Sequence, residues 1–309
     1  MGKMEANRQA HATNVEQLVR PRHIGKWLSG AVALAILIPA IVGMVTNPRF
    51  QWEVVSKYFL DPRMTSGVLK TLELTGLAML VGIVLGLVLA VMRMSKNPVL
   101  VYLSLGYLWV FRGAPLLVQL LFWFNISALI PIITLGIPFG PVLFEGSANA
   151  FITPYLAALL GLGLYEAAYM SEIIRSGLLA VDSGQREAAQ VLGMSQPLLM
   201  RRIVLPQAMR IIVPTTGNEA IRMLKDTSLV SVLAIPELLY SAQMIYSRTF
   251  ETIPLLLVAG LWYVIATTAL MIGQYYLEKY FSSGTGRASG PKLTQAIEAG
   301  SKRLPAEEV

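Results

Sequence analysis

Six long apolar runs separated by short polar segments dominate the chain. They lie at about Leu28–Val45, Gly67–Met92, Leu100–Leu129, Thr153–Ile174, Ile211–Ile235 and Ile253–Tyr276. A helix of about 20 apolar residues crosses roughly 30 Å of hydrocarbon. Each run therefore reads as a crossing, and the chain as an all-α polytopic membrane protein with about six transmembrane helices. The third run would extend ~45 Å as one straight helix, which is too long. It is interrupted at Phe111-Arg112-Gly113-Ala114-Pro115, and Pro115 suits the first turn of a new helix, where its missing N–H costs nothing. The pattern predicts a short interfacial helix over 99–111 and a crossing over 114–130. Loop 131–152, which carries Pro131, Pro138 and Pro141, is expected to be external and irregular.

The ends differ in character. Residues 1–27 read as a basic tail and 28–46 as a first helix. A polar lead of 27 residues is long for a signal peptide, and Thr46-Asn47-Pro48 offers no small-x-small cleavage site, so a retained anchor is expected. Residues 282–309, beginning Ser-Ser-Gly-Thr-Gly-Arg, read as a disordered cytoplasmic end.

Composition narrows the chemistry. Only 14% of the 309 residues are charged, against about 25% in a soluble globular protein. With no Cys, and His only at His11 and His23, thiol chemistry and Cys- or His-based metal sites have no material. No G-x-x-x-x-G-K-[ST] loop occurs, so the chain is not expected to hydrolyse ATP, to act as an enzyme or to bind a cofactor of its own. Lys and Arg are asymmetric. With both termini inside, the cytoplasmic segments hold 17 and the external ones 4, which by the positive-inside rule places both ends in the cytoplasm.

The most informative cytoplasmic stretch runs from Glu187-Ala188-Ala189 through Gly193 to Ile203-Val-Leu205-Pro206. It reads as helix, break, helix. Ser183 can cap the first helix, Gly193 can end it in the left-handed conformation, and Ser195 can cap the second with Pro197 in its first turn. Val191, Leu192, Met194, Leu198, Leu199 and Ile203 are apolar in a segment that faces water, so burial against something is expected. A self-packed hairpin and a partner-docking loop both satisfy this.

This stretch matches the E-A-A, three residues, G, nine residues, I-x-L-P loop of importer-type ABC permeases at every defined position. Arg112-Gly113-Ala114-Pro115-Leu-Leu-Val-Gln119, Ala168-Tyr169-Met-Ser-Glu172-Ile-Ile-Arg175 and Leu224-Lys225-Asp226-Thr227-Ser228-Leu229-Val230-Ser231 resemble segments of the polar amino acid permeases, the histidine/glutamine/arginine/opine group. The resemblance covers about residues 65–281. It implies a five-helix type I importer core to which this chain adds an N-terminal helix. It also implies a coupling loop over 182–206 that docks on ATPase subunits through Glu187, Ala188, Ala189, Gly193, Ile203, Leu205 and Pro206. The partners it implies are two ATPase subunits using ATP-Mg, a second permease subunit (identical or not) and an external amino acid-binding protein. The place implied is a bacterial inner membrane, and no nucleic acid is involved. Glu166 stands where the group would carry a small or neutral polar residue.

Charges within the runs mark the expected path. Intramembrane charge is costly and usually faces a bundle interior or a watery cavity. Glu219, Arg222 and Asp226 share one helix face at spacings of three and four. They can form a self-neutralising ladder and can also line a route for a zwitterion, with Asn218, Lys225, Tyr169 and Gln119 as further path candidates. Glu172 and Arg175 read as a local pair near the cytoplasmic end. Glu166 has no basic residue one turn on, so it needs a partner. Either a solute ammonium or guanidinium supplies it, or Arg222 or Lys225 does so across the bundle. Gly82 and Gly86 form a G-x-x-x-G that permits close helix packing. A stand-alone secondary transporter or channel, the rival reading, would call for inverted repeats, and no repeat stands out.

Overall fold

A computed structural model describes residues 24–136 and 142–282. The expected tails, 1–27 and 282–309, lie mostly outside those residues. The chain divides into two units, Met1–Trp52 and Glu53–Val309.

In the first unit, helix α1 (Ile24–Thr46) covers the expected first run. Asn47 accepts from the Arg49 N–H and caps a single 3₁₀ turn, Pro48–Phe50. The Trp52 indole donates to Val45 O at 3.0 Å, and Phe50 and Trp52 stack with ring centroids 5.9 Å apart.

The second unit is a helical bundle. Helix α2 (Trp52–Phe59) leads into α3 (Pro62–Arg93). Asp61 caps α3 by accepting from the Arg63 N–H, and the Arg63 guanidinium beside it holds the Asp61 carboxyl below the usual carboxylate range. Then follow α4 (Pro98–Gly113), α5 (Leu116–Phe124), a hairpin of β1 (Ile132–Gly136) and β2 (Val142–Ser147), and α6 (Pro154–Leu179). The segment expected to face the cytoplasm holds α7 (Ser183–Val191). A continuous helical stretch from Gln196 contains α8 (Leu205–Asp226) and a 3₁₀ extension to Leu233. Helices α9 (Leu238–Thr249) and α10 (Thr252–Ser282) complete the unit.

Among the described residues, α1, α3, α6 and α10 are each long and apolar enough to cross a membrane. The number rises to six if each of two bent pairs is one span: α4 with α5, at 101°, and the Gln196–Leu233 stretch with α9, at 44°. The count matches the six runs, but three details differ. The predicted crossing over 114–130 is helical as α5 only over Leu116–Phe124, nine residues or ~14 Å, so it spans only together with α4. The loop expected to be irregular contains a hairpin in which Ile132 faces Ser147 and Leu135 faces Phe144. The fifth run starts earlier than Ile211, because Leu205–Ile211 is helical too, and its last residues tighten to 3₁₀.

Helices α3 and α6 form the core of the bundle through small residues. A Cβ on Gly82 would lie 2.5 Å from Cγ of Glu166, and one on Gly86 would lie 2.6 Å from Cβ of Met170. The G-x-x-x-G of α3 therefore receives a two-residue ridge of α6 at the same spacing of four. Glycine is required because any side chain would drive the helices apart.

Candidate translocation site and coupling loop

The charged residues of α6 and α8 converge on one guanidinium. Arg222 Nη2 lies 2.7 Å from Glu166 Oε2, Nη1 lies 2.7 Å from Asp226 Oδ2, and Nε lies 2.6 Å from Glu219 Oε2. The i−3 and i+4 spacings place both α8 carboxylates within reach of the same side chain. Gly82 leaves room for Glu166, which is 0% exposed. The two aromatic residues of α6 complete the cage: the Arg222 guanidinium lies 4.7 Å from the Tyr169 ring centroid and 5.5 Å from that of Tyr165, within cation–π range. The Tyr165 hydroxyl donates to that of Tyr169 at 3.1 Å.

Of the two partners open to Glu166 in the sequence, the structure supplies Arg222. Lys225 is exposed and does not reach it. The ladder of Glu219, Arg222 and Asp226 forms as spaced. Glu166 adds a third carboxylate, so four groups carry a formal excess of two negative charges. Glu166 Oε1 is buried without a hydrogen-bond partner among the described residues. Asn218 lies one turn before Arg222 on α8 and is exposed.

One expected pairing is corrected. Glu172 does not pair with Arg175. It meets Arg93 of α3 and, at 3.4 Å, Arg112 of α4, both through Oε1. Long-range partners outcompete the local one because the C-terminal ends of α3 and α4 close on the same face of α6. Gln119 is not brought to the charged cluster either. Its amide donates to Phe111 O and Ala114 O, each at 2.9 Å, and so occupies carbonyls left free where Pro115 breaks the helix. Its role is to hold the 101° bend.

Sequence reasoning did not single out Glu237, which is fully buried. Its carboxylate accepts from the N–H groups of Leu239 and Tyr240, capping α9, and from the Tyr263 hydroxyl at 2.9 Å. An acid directly before an apolar helix, after Ile235-Pro236, was the available signal.

The loop over 182–206 folds as helix, break, helix. Asp182, not Ser183, caps α7: its carboxylate accepts from the Gln185 N–H, the N3 donor, at 3.3 Å, which leaves Ser183 at the first helical position. Gly193 takes φ +74°, the left-handed conformation that favours glycine. Ser195 occupies the cap position of the next helix without a side-chain bond. Pro206 has no N–H to give the Arg202 carbonyl, and Met200–Val204 widens to a π turn closed by the Leu205 N–H on Met200 O.

The apolar residues of this loop divide. Ala189, Leu199 and Val204 join the main core, with Met194 and Ile203 packed against it. Val191 and Leu192 are 88% and 81% exposed, beside exposed Glu187 and Ala188. Leu205 and Pro206 are exposed as well. Braces hold α7 on both sides: Arg186 donates to Leu178 O at the end of α6, and Gln207 of α8 donates to Gln185 Oε1 at 2.6 Å.

Comparison with known proteins agrees with this architecture. The family of binding-protein-dependent transport system inner membrane components matches residues 82–283. The arginine transport system permease protein ArgU of Corynebacterium glutamicum is 45% identical over 285 residues, covering 92% of this chain and 89% of the relative. The nopaline transport system permease protein NocM of Agrobacterium fabrum is 36% identical, covering 76% and 95%. Among solved structures, an amino acid ABC transporter crystallised with histidines superposes with a TM-score of 0.62 at 34% identity, covering 73% of this chain and 97% of that one. The family match over residues 82–283 and these relatives together show that the chain belongs to the family of binding-protein-dependent transport system inner membrane components.

Proposed function

We propose that this chain is the transmembrane subunit of an ATP-driven importer of polar amino acids, with a preference for cationic ones. One observation carries the reading: α7 presents Glu187, Ala188, Val191 and Leu192 outward while it is braced to α6 and α8, the two helices that hold the charged cluster. A displacement of α7 by a docked ATPase would pass directly to Glu166 on α6 and Arg222 on α8. Closure of two ATPase subunits around ATP-Mg would in this way switch the cavity between outward- and inward-facing states. A second permease subunit completes the path, and a binding protein delivers the solute from outside. The formal acidic excess around Arg222 supports a cationic solute, as do the similarities to arginine and nopaline permeases.

The coupling assignment predicts that Glu187→Lys and Gly193→Asp each reduce uptake at least about tenfold at normal abundance. The first reverses a charge on the docking face, and the second forces a side chain into φ > 0. Uptake and ATPase co-purification measured from the same membranes check this; full uptake by either variant at full abundance would remove α7 from the coupling role.

The multi-pass chain is placed in a bacterial inner membrane with both termini cytoplasmic, on the ratio of 17 basic residues inside to 4 outside. Because the chain has no Cys, Ser147→Cys and Ser195→Cys report cleanly. The thiol at 147 should react with an impermeant reagent from outside, and that at 195 only after permeabilisation. The reverse pattern would invert the topology.

A further inference from the structure

Near the end of the bundle assigned to the cytoplasm, a cavity of about 490 Å³ opens between α3, α4 and α6. Its volume falls in the range of small-molecule sites, roughly 300–1,000 Å³. Arg93, Leu105, Trp109, Arg112, Tyr169 and Glu172 line it. Two arginines face one carboxylate, so this group carries a formal excess of one positive charge, the opposite of the cluster around Arg222.

Three features distinguish it from a plain structural ion pair. Both guanidinium groups meet the same oxygen, Glu172 Oε1, and no protein donor reaches Oε2 among the described residues. The Arg112 contact is the long one, at 3.4 Å, and the Arg112 side chain is 43% exposed. Arg112 also stacks on Tyr169, 5.2 Å from its ring centroid, and the same ring faces Arg222 at 4.7 Å. One aromatic residue therefore joins an acidic cluster to a basic cavity.

We propose that this cavity is a carboxylate-binding station on the cytoplasmic side of the path. Arg112 leaves Glu172 to take the α-carboxylate of an amino acid, Arg93 holds Glu172 in place, and Glu172 Oε2 accepts from the α-ammonium. A guanidinium forks onto a carboxylate with two parallel hydrogen bonds, and exposed Arg112 is free to do so. A zwitterion passing from the cluster around Arg222 would meet the charge order its two ends require, with Tyr169 as the surface between. This rests on the proposed transport of amino acids.

The test is thiol protection in the assembled permease–ATPase complex in nanodiscs, without binding protein. Leu105→Cys puts a single thiol in the cavity wall of a chain that otherwise has none. Its alkylation rate is followed with arginine, and with agmatine, which is arginine without the carboxylate. Arginine is expected to slow alkylation, and agmatine to need about tenfold or more higher concentration for the same effect, the loss of a charge-assisted contact. Arg112→Gln, in the same background, should raise the half-protecting arginine concentration by a similar factor, and Arg112→Lys by less. Equal protection by agmatine and arginine in the unsubstituted cavity, or no protection by either, would overturn the station. ATP-dependent uptake by the same complex with binding protein separates the two failures. Intact amino acid uptake would leave the transport reading standing and remove only the station, whereas transport of no amino acid would remove the reading beneath it.

Discussion

Arg222→Ala is expected to reduce uptake by more than a hundredfold and to destabilise the bundle by about 3–5 kcal/mol, the cost of leaving a buried ion pair half-broken. The reason is specific to this cluster. Glu166 is fully buried and its Oε2 has Arg222 as partner. Glu219 and Asp226 bond to the same guanidinium. Without it, three carboxylates remain together with no cation in contact. Combining Glu166→Gln with Arg222→Gln should recover part of the stability, because the fully buried Glu166 charge is then gone while Glu219 and Asp226 still lack their cation, but not the uptake. Thermal midpoints and uptake in proteoliposomes for the single and double variants check this. An Arg222→Ala bundle as stable as the original would mean that the cluster does not hold α6 to α8.

The second large effect is steric. Gly82→Leu should prevent α3 and α6 from closing, since even its Cβ would sit 2.5 Å from Glu166 Cγ and 2.8 Å from Glu166 Cβ. Overpacking of this kind costs about 1–3 kcal/mol where neighbours can yield, and a helix backbone yields less than a side-chain tip. The substitution also displaces Glu166 from Arg222, so activity should fall further than stability. Gly76→Leu, on the same helix with nothing within 4 Å of its Cβ position, is the control. A melting midpoint lowered by about 5 °C or more for Gly82→Leu, with Gly76→Leu unchanged, is the expected outcome. Equal midpoints would show that the two helices do not depend on that close approach.

The membrane helices were legible because apolar length is a strong signal, and six runs became six single or paired spans. The break at Arg112–Pro115 was legible because proline cannot continue a helix; its 101° angle was not, since that depends on Gln119 reaching back to two carbonyls. The ladder on α8 could be read from spacing alone. Glu172 could not, because its partners stand 79 and 60 residues away and displaced the local candidate Arg175. Periodicity within one helix says nothing of the neighbours it meets. Glu237 escaped for a related reason: its N–H donors are local, but its burial comes from packing with α3 and α10, including the Tyr263 hydroxyl. In the loop over 182–206, glycine and proline announced the bends, whereas the division of its apolar residues into packed Leu199 and outward Val191 and Leu192 came only from tertiary contacts.

The most direct measurement of the central claim is uptake of labelled arginine, glutamine and glutamate into proteoliposomes that hold this chain with its co-purified ATPase. The binding protein is added outside, ATP-Mg is supplied inside, and no ion gradient is present. The account predicts ATP-dependent accumulation that needs the binding protein, favours arginine, and is lost in Glu187→Lys with the complex still reconstituted. Accumulation driven by an ion gradient without ATP, unchanged by Glu187→Lys, would mean that the chain works alone and would contradict it.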